Sequence, residues 1–191
     1  MSWPDTFLAR PARRRLLRLV AVVALGALTA GCFQPLYGDH SIGAAGDVRG
    51  KLASVDVPPI NTPNGTALAR ISVHLRNQLI YGLTGGGQAA SPAYRLVIRM
   101  SASQRQVIVD VNSGRAEVVD YGLTASYQMI DTATGKMVVN STANARVSYN
   151  VPGQEQRFAG ARGLRDAENR AADVLAQDIQ SRLASYFVAG T

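Results

Sequence analysis

Cys32 is the only cysteine in 191 residues. It stands in LTAGCFQPLYG, residues 28–38, directly after the small residues Ala30 and Gly31. Small residues let a peptidase reach the backbone, and a thiolate beside the cut can carry a diacylglycerol thioether. Cleavage then frees the Cys32 amine for a further acyl chain. One acylated cysteine leaves no disulfide. The other reactive types do not assemble. His40 and His74 have no partner at metal-ligand spacing, and a solvated imidazole is expected for both. Asp110, Glu117 and Asp120 flank a turn. Paired carboxylates can do glycoside chemistry, but strand ends are also where solvated acids stand. DTATGK, residues 131–136, fails as a phosphate loop, because Ile130 replaces the first glycine and Met137 the magnesium-binding hydroxyl. GLTGGG follows a helical pattern and precedes Ser91-Pro92, the wrong order for a phosphate cradle. No G-x-S-x-G elbow occurs. The expectation is a non-enzyme with no metal and no cofactor, carrying covalent N-acyl and S-diacylglycerol groups on Cys32.

The segment before Cys32 supports that chemistry. Arg10, Arg13, Arg14, Arg15 and Arg18 form a basic region, and the 12 residues Leu19–Ala30 carry no charge. A helix that long reaches about 18 Å, short of the roughly 30 Å hydrocarbon core. Residues 1–31 therefore read as an export signal. The stretch is similar to a bacterial lipobox, with Thr29 where leucine is most common. Two or more acyl chains anchor a protein stably, where one holds it only marginally. Five arginines and Asp5 leave with the signal, so 20 basic and 13 acidic residues become 15 and 12, a net of +3. The high charge of the whole chain is thus partly the signal's, and gives no ground for a nucleic-acid partner.

Residues 32–50, rich in glycine, read as a lipidated tether, and residues 51–191 as one domain. LASVDV, 52–57, is a strand candidate, and PPINTPNG, 58–65, cannot be helix interior. Thr66 or Asn64 can cap a helix whose face is Leu68, Ile71, Leu75 and Leu79, ending near Tyr81. Three strands with period two follow. Tyr94, Leu96, Ile98 and Met100 alternate with polar neighbours, and the phase slips near Ser103–Gln106 as at a β-bulge before Val107, Val109 and Val111 take over. Val119 to Met129 and Val139 to Val151 alternate likewise, separated by turns at Asn112-Ser113-Gly114 and 131–136. A last helix carries the stripe Leu164, Ala167, Ala171, Val174, Leu175, Ile179, Leu183 and Phe187, with Asp166 and Glu168 in its first turns and Arg182 near its end. The order β-α-β-β-β-α predicts an α+β two-layer sandwich: a four-stranded, mostly antiparallel sheet with two helices on one face. The first strand cannot form a hairpin with its partner, which leaves parallel pairing open to it. The other sheet face is polar.

Cys32-Phe33-Gln34-Pro35-Leu36-Tyr37-Gly38 resembles the mature start of the lipopolysaccharide-assembly lipoprotein family LptE, whose members often begin C-G-F-x-P-L-Y; the glycine after the cysteine is missing here. Length, element order and the long C-terminal helix match as well. The resemblance implies an outer-membrane lipoprotein that plugs the β-barrel LptD, assists its assembly and helps deliver lipopolysaccharide to the cell surface, without catalysis. Phe33 lacks the aspartate character that retains lipoproteins inside, which fits a cell-outer-membrane address on the periplasmic side. Two sets of residues suit that role. Arg95, Arg99, Arg105, Arg115 and Lys136 could meet lipid A phosphates. Thr124, Ser126, Asn140, Asn144 and Arg146, with Arg95 and Arg99, give the polar face that a barrel interior would contact. Both sets equally suit a solvated sheet surface. An accessory lipoprotein of an ABC-type envelope lipid-transport system is the alternative.

Overall fold

The computed structural model describes residues 48–189 apart from 88, 90, 112–113 and 152–155. The expected signal segment, Cys32 with the FQPLYG stretch, His40 and the tether up to residue 47 lie outside the described residues.

Strand 52–57 is mostly not a strand. Val48–Ala53 is a helix, α1, and only Val55–Asp56, β1, joins the sheet. Val48 and Leu52, one turn apart, are buried and turn α1 onto the two longer helices. Ser54 closes α1, its hydroxyl donating to the Lys51 carbonyl at 2.7 Å. Pro58, which has no N–H, follows Val57 and stops the ladder. Helix α2, Ala67–Thr84, is capped by Thr66, whose hydroxyl accepts from the Ala69 N–H at 3.2 Å. It runs a turn past Tyr81 and buries Leu83 as well as Ile71, Leu75 and Leu79. Gly85, at φ 78°, ends it with its N–H on the Tyr81 carbonyl.

Strands β2, Tyr94–Val109, β3, Ala116–Asp131, and β4, Met137–Asn150, form a meander, and the sheet order is β1-β2-β3-β4. β1 pairs in parallel with Tyr94 and Arg95; the other pairings are antiparallel. The register slip falls between Gln106 and Val109, a little beyond the expected place. Val107, Ile108 and Val109 are 43–50% exposed and Val111 is 94% exposed, so the apolar run after the slip does not join the core. Every residue of β2 from Ser101 to Val109 is exposed, while Leu96 and Ile98 in its first half are buried.

Helix α3, Arg157–Ala189, crosses β3 and β4 on the same face as α2 and beside it. Ala167, Ala171, Ala172, Ala176 and Ala184 are at most 2% exposed, and these small side chains let the helix lie close to the sheet. Leu175, Ile179, Leu183 and Phe187 fill the rest, and Phe187 tilts against Tyr94 with ring centroids 5.2 Å apart. Val174 is 48% exposed, since a residue one step from Leu175 lies about 100° around the helix. Asp166 and Glu168 are not in a first turn, because α3 starts nine residues before Asp166. Their roles are pairings: Asp166 with Arg170 at 2.7 Å, and Glu168 with Arg70 of α2. Arg182 likewise pairs with Asp178 at 3.1 Å. His74 is not simply solvated; its Nε2 lies 2.8 Å from Asp173, to which Gln78 also donates.

Candidate functional site

Both helices cover one face of the sheet, so alternation leaves the other face open. The register places its side chains in cross-strand rows. Val97, Gln128 and Asn140 form one row, Arg99, Ser126 and Thr142 the next, then Ser101, Thr124 and Asn144, then Ser103, Gly122 and Arg146, then Arg105, Asp120 and Ser148. Hydrogen bonds run along the rows: Thr124 donates to Asn144 Oδ1 at 2.9 Å, Ser126 and Thr142 hydroxyls meet at 3.3 Å, and Ser148 donates to Asp120 at 2.6 Å. Gly122 leaves room in its row, since a Cβ there would stand 2.8 Å from the Ser103 hydroxyl. All five residues expected for the barrel face, and Arg95, Arg99 and Arg105, therefore share one surface.

The five expected phosphate contacts do not share one site. Arg95 lies at the start of β2, beside the Asp131–Lys136 turn, and sits 3.8 Å from Asp56. Arg115 lies beyond the far end of the β2–β3 hairpin, its carbonyl accepting from the Asp110 N–H at 2.8 Å. At about 3.3 Å per residue, Arg95 and Arg105 stand about 33 Å apart. Arg99 occupies the middle. The cations form a column along β2 with one group at each end: Arg95 with Lys136, and Arg105 with Arg115. Arg146 joins the far end of the column, one row from Arg105 and two strands away. Against these cations the open face sets Asp120 and, at its edge, Asp56. Sequence periodicity identified the face but missed Asp120, Thr142 and Ser148 as members of the bonded rows. Their alternation was legible; their cross-strand partners follow only from the register.

At the Lys136 end the turn is held by a carboxylate. Asp131 Oδ1 accepts from the backbone N–H groups of Ala133 and Thr134, each at 2.9 Å. Hydrogen bonding from Thr134 first, and from Ala133, holds its pKa below 3.8. A depressed folded pKa contributes stability that is complete above the unfolded value and lost as pH falls through the folded one. The turn is therefore expected to loosen only below about pH 4. Carboxyl NMR titration of Asp131 should show a midpoint lower than a free aspartate, and Asp131→Asn should remove the acid dependence of the neighbouring amide shifts.

On the covered side, Tyr121 is 2% exposed, and burial followed by the charge of Glu168 pushes its hydroxyl up to about 12. Among the described residues no three His, Cys, Asp or Glu side chains group as metal ligands, and no helix is long and apolar enough to cross a membrane.

The domain is a two-layer α+β fold with one open, hydrogen-bonding, cationic sheet face. The LptE family model, lipopolysaccharide-assembly, matches residues 52–183, and the chain belongs to that family. A candidate lipoprotein from Caulobacter crescentus CB15 superposes with TM-score 0.57 at 21% identity, over 74% of this chain and 96% of that one. Rare lipoprotein B from Shewanella oneidensis gives 0.51 at 14%, over 71% and 96%. Lipoprotein B from Nitrosomonas europaea gives 0.51 at 16%, over 72% and 90%. These likenesses establish the fold. No curated protein matches the chain.

Proposed function

We propose that the chain is an outer-membrane lipoprotein, acylated on Cys32, that plugs the LptD barrel and takes part in delivering lipopolysaccharide to the cell surface. Membership of the lipopolysaccharide-assembly family supports the process. The observation that carries the plug reading is the continuous open face of β2, β3 and β4. Large outer-membrane barrels are polar inside, and a wall of side chains that donate and accept hydrogen bonds matches rows of Ser, Thr, Asn and Gln. The rows do not need water to satisfy every group, since several bond across the strands. The cation column suits lipid A phosphates at either end of β2. The protein binds and positions; it does not catalyse.

Mild-detergent purification of the tagged chain from outer membranes tests this. A near-stoichiometric barrel of the lipopolysaccharide-export type is the expected companion. Arg99→Glu with Arg105→Glu is expected to leave the fold intact, because both side chains are exposed, and to weaken lipopolysaccharide binding by about tenfold, as losing one or two charge-assisted hydrogen bonds does. Recovery of inner-membrane transport components without a barrel would favour the ABC-type reading instead.

A further inference from the structure

Among the described residues the sheet ends in two free edges of different character. β1 covers β2 only at Tyr94 and Arg95, so the outer edge of β2 is open from Leu96 to Val109. That edge carries Arg99 and Arg105 and is broken by the register slip after Gln106, the devices by which proteins discourage strand addition. β4 is the other edge, and among the described residues no strand pairs with its outer side. Over residues 137–150 it has no proline, lysine, aspartate or glutamate, and one charge, Arg146. Its pairing to β3 is regular from Val139 to Asn150. Val138, Val139, Thr142, Val147 and Tyr149 favour extended backbone. Every second residue of such an edge points a backbone N–H and C=O outward.

We infer that the outer edge of β4 receives a fifth strand, an extended segment of another polypeptide that carries a carboxylate opposite Arg146. Backbone bonds would hold the segment, and alternate side chains would set its identity. Near the start of β4, a groove of about 420 Å³ reaches the end of α3, and its lining includes Val139, Asn140, Arg182, Ser185, Tyr186 and Ala189. Ser185 and Ala189 are small, so the groove admits one aliphatic side chain from the added strand. On the open side, Arg146 is exposed and makes no ion pair among the described residues. The open face as a whole carries more cations than carboxylates, so charge complementarity selects an acidic segment. A second copy of this chain fits less well. A second β4 edge carries no carboxylate to set against Arg146 and brings another Arg146 instead.

The inference goes beyond the barrel reading, and its test needs no barrel. The purified chain is mixed with a synthetic peptide as long as β4 that alternates valine with threonine and has a central glutamate. Amide hydrogen exchange is followed residue by residue. The expected result is slowed exchange at alternate amides within 138–149 and none along the free edge of β2. A lysine in place of the peptide's glutamate should weaken binding by about two- to fivefold, and Arg146→Glu should reverse that preference. The same peptide N-methylated on alternate amides should not bind, a control that uses the unaltered chain. Slowed exchange along β2, binding by the N-methylated peptide, or no binding would overturn the inference. So would protection of β4 without peptide that disappears on dilution, which would make a second copy the occupant.

Discussion

Arg70→Met is expected to be the most damaging single change on the helical layer. Glu168 is 3% exposed, on a helix face that packs against Tyr121 and the sheet. Arg70 supplies its charge partner, and its other guanidinium nitrogen bonds Asn169 at 2.9 Å. Removing one member of a buried pair costs about 3–5 kcal/mol, because the remaining charge is left in low dielectric. Arg70 keeps 42% of its side chain in solvent while Glu168 keeps 4%, so water can replace part of what is lost. The expected loss is about 2–3 kcal/mol. Urea unfolding checks it: the midpoint should fall with the slope unchanged. Removing both charges, as Arg70→Met with Glu168→Met, should recover most of the loss. A single-variant loss below about 0.5 kcal/mol is what an ordinary surface pair gives, and would show that Glu168 remains hydrated.

The second large effect is on location. Cys32→Ala removes the thiol that the acyl groups need. Each buried CH₂ of an acyl chain contributes about 0.8 kcal/mol to membrane binding, so losing two or more chains abolishes anchoring rather than weakening it. The variant is expected to leave the membrane fraction, to incorporate no labelled palmitate, and to accumulate as the uncut precursor or as soluble chain. A variant still held in membranes after an alkaline wash would mean that Leu19–Ala30 itself holds the chain.

The sheet was the most legible part of the sequence, because alternation survives whatever packs above it. Val119, Tyr121, Leu123, Ala125, Tyr127 and Met129 were expected on the core face, and all are buried. The α2 cap was readable to within two candidates, Thr66 or Asn64, and the structure has Thr66. What was not legible depends on distant partners. α1 is six residues long, too short for periodicity to speak, and it forms because Val48 and Leu52 have helices to pack on. Val107 and Val109 look like core positions, yet they are exposed, beyond the buried first half of β2. Glu168 was expected in a first helical turn and His74 in solvent, and their partners Arg70 and Asp173 lie almost a hundred residues away. The candidate site was half legible for the same reason. Periodicity placed Arg95 and Arg99 on the polar face with Thr124, Ser126, Asn140, Asn144 and Arg146, and the register adds Arg105. Only the register shows that Arg115 and Lys136 stand at opposite ends of it.

The most direct test of the plug reading is crosslinking from the open face in intact cells. A photoreactive side chain is placed at Thr142, on that face and near the middle of its edge strand β4, in the full-length acylated chain. The expected product is a single large adduct containing an outer-membrane barrel of the lipopolysaccharide-export type, formed only when Cys32 is present. No adduct with any barrel, while the same position captures an inner-membrane or soluble transport component, would contradict the reading and assign the open face to a different partner.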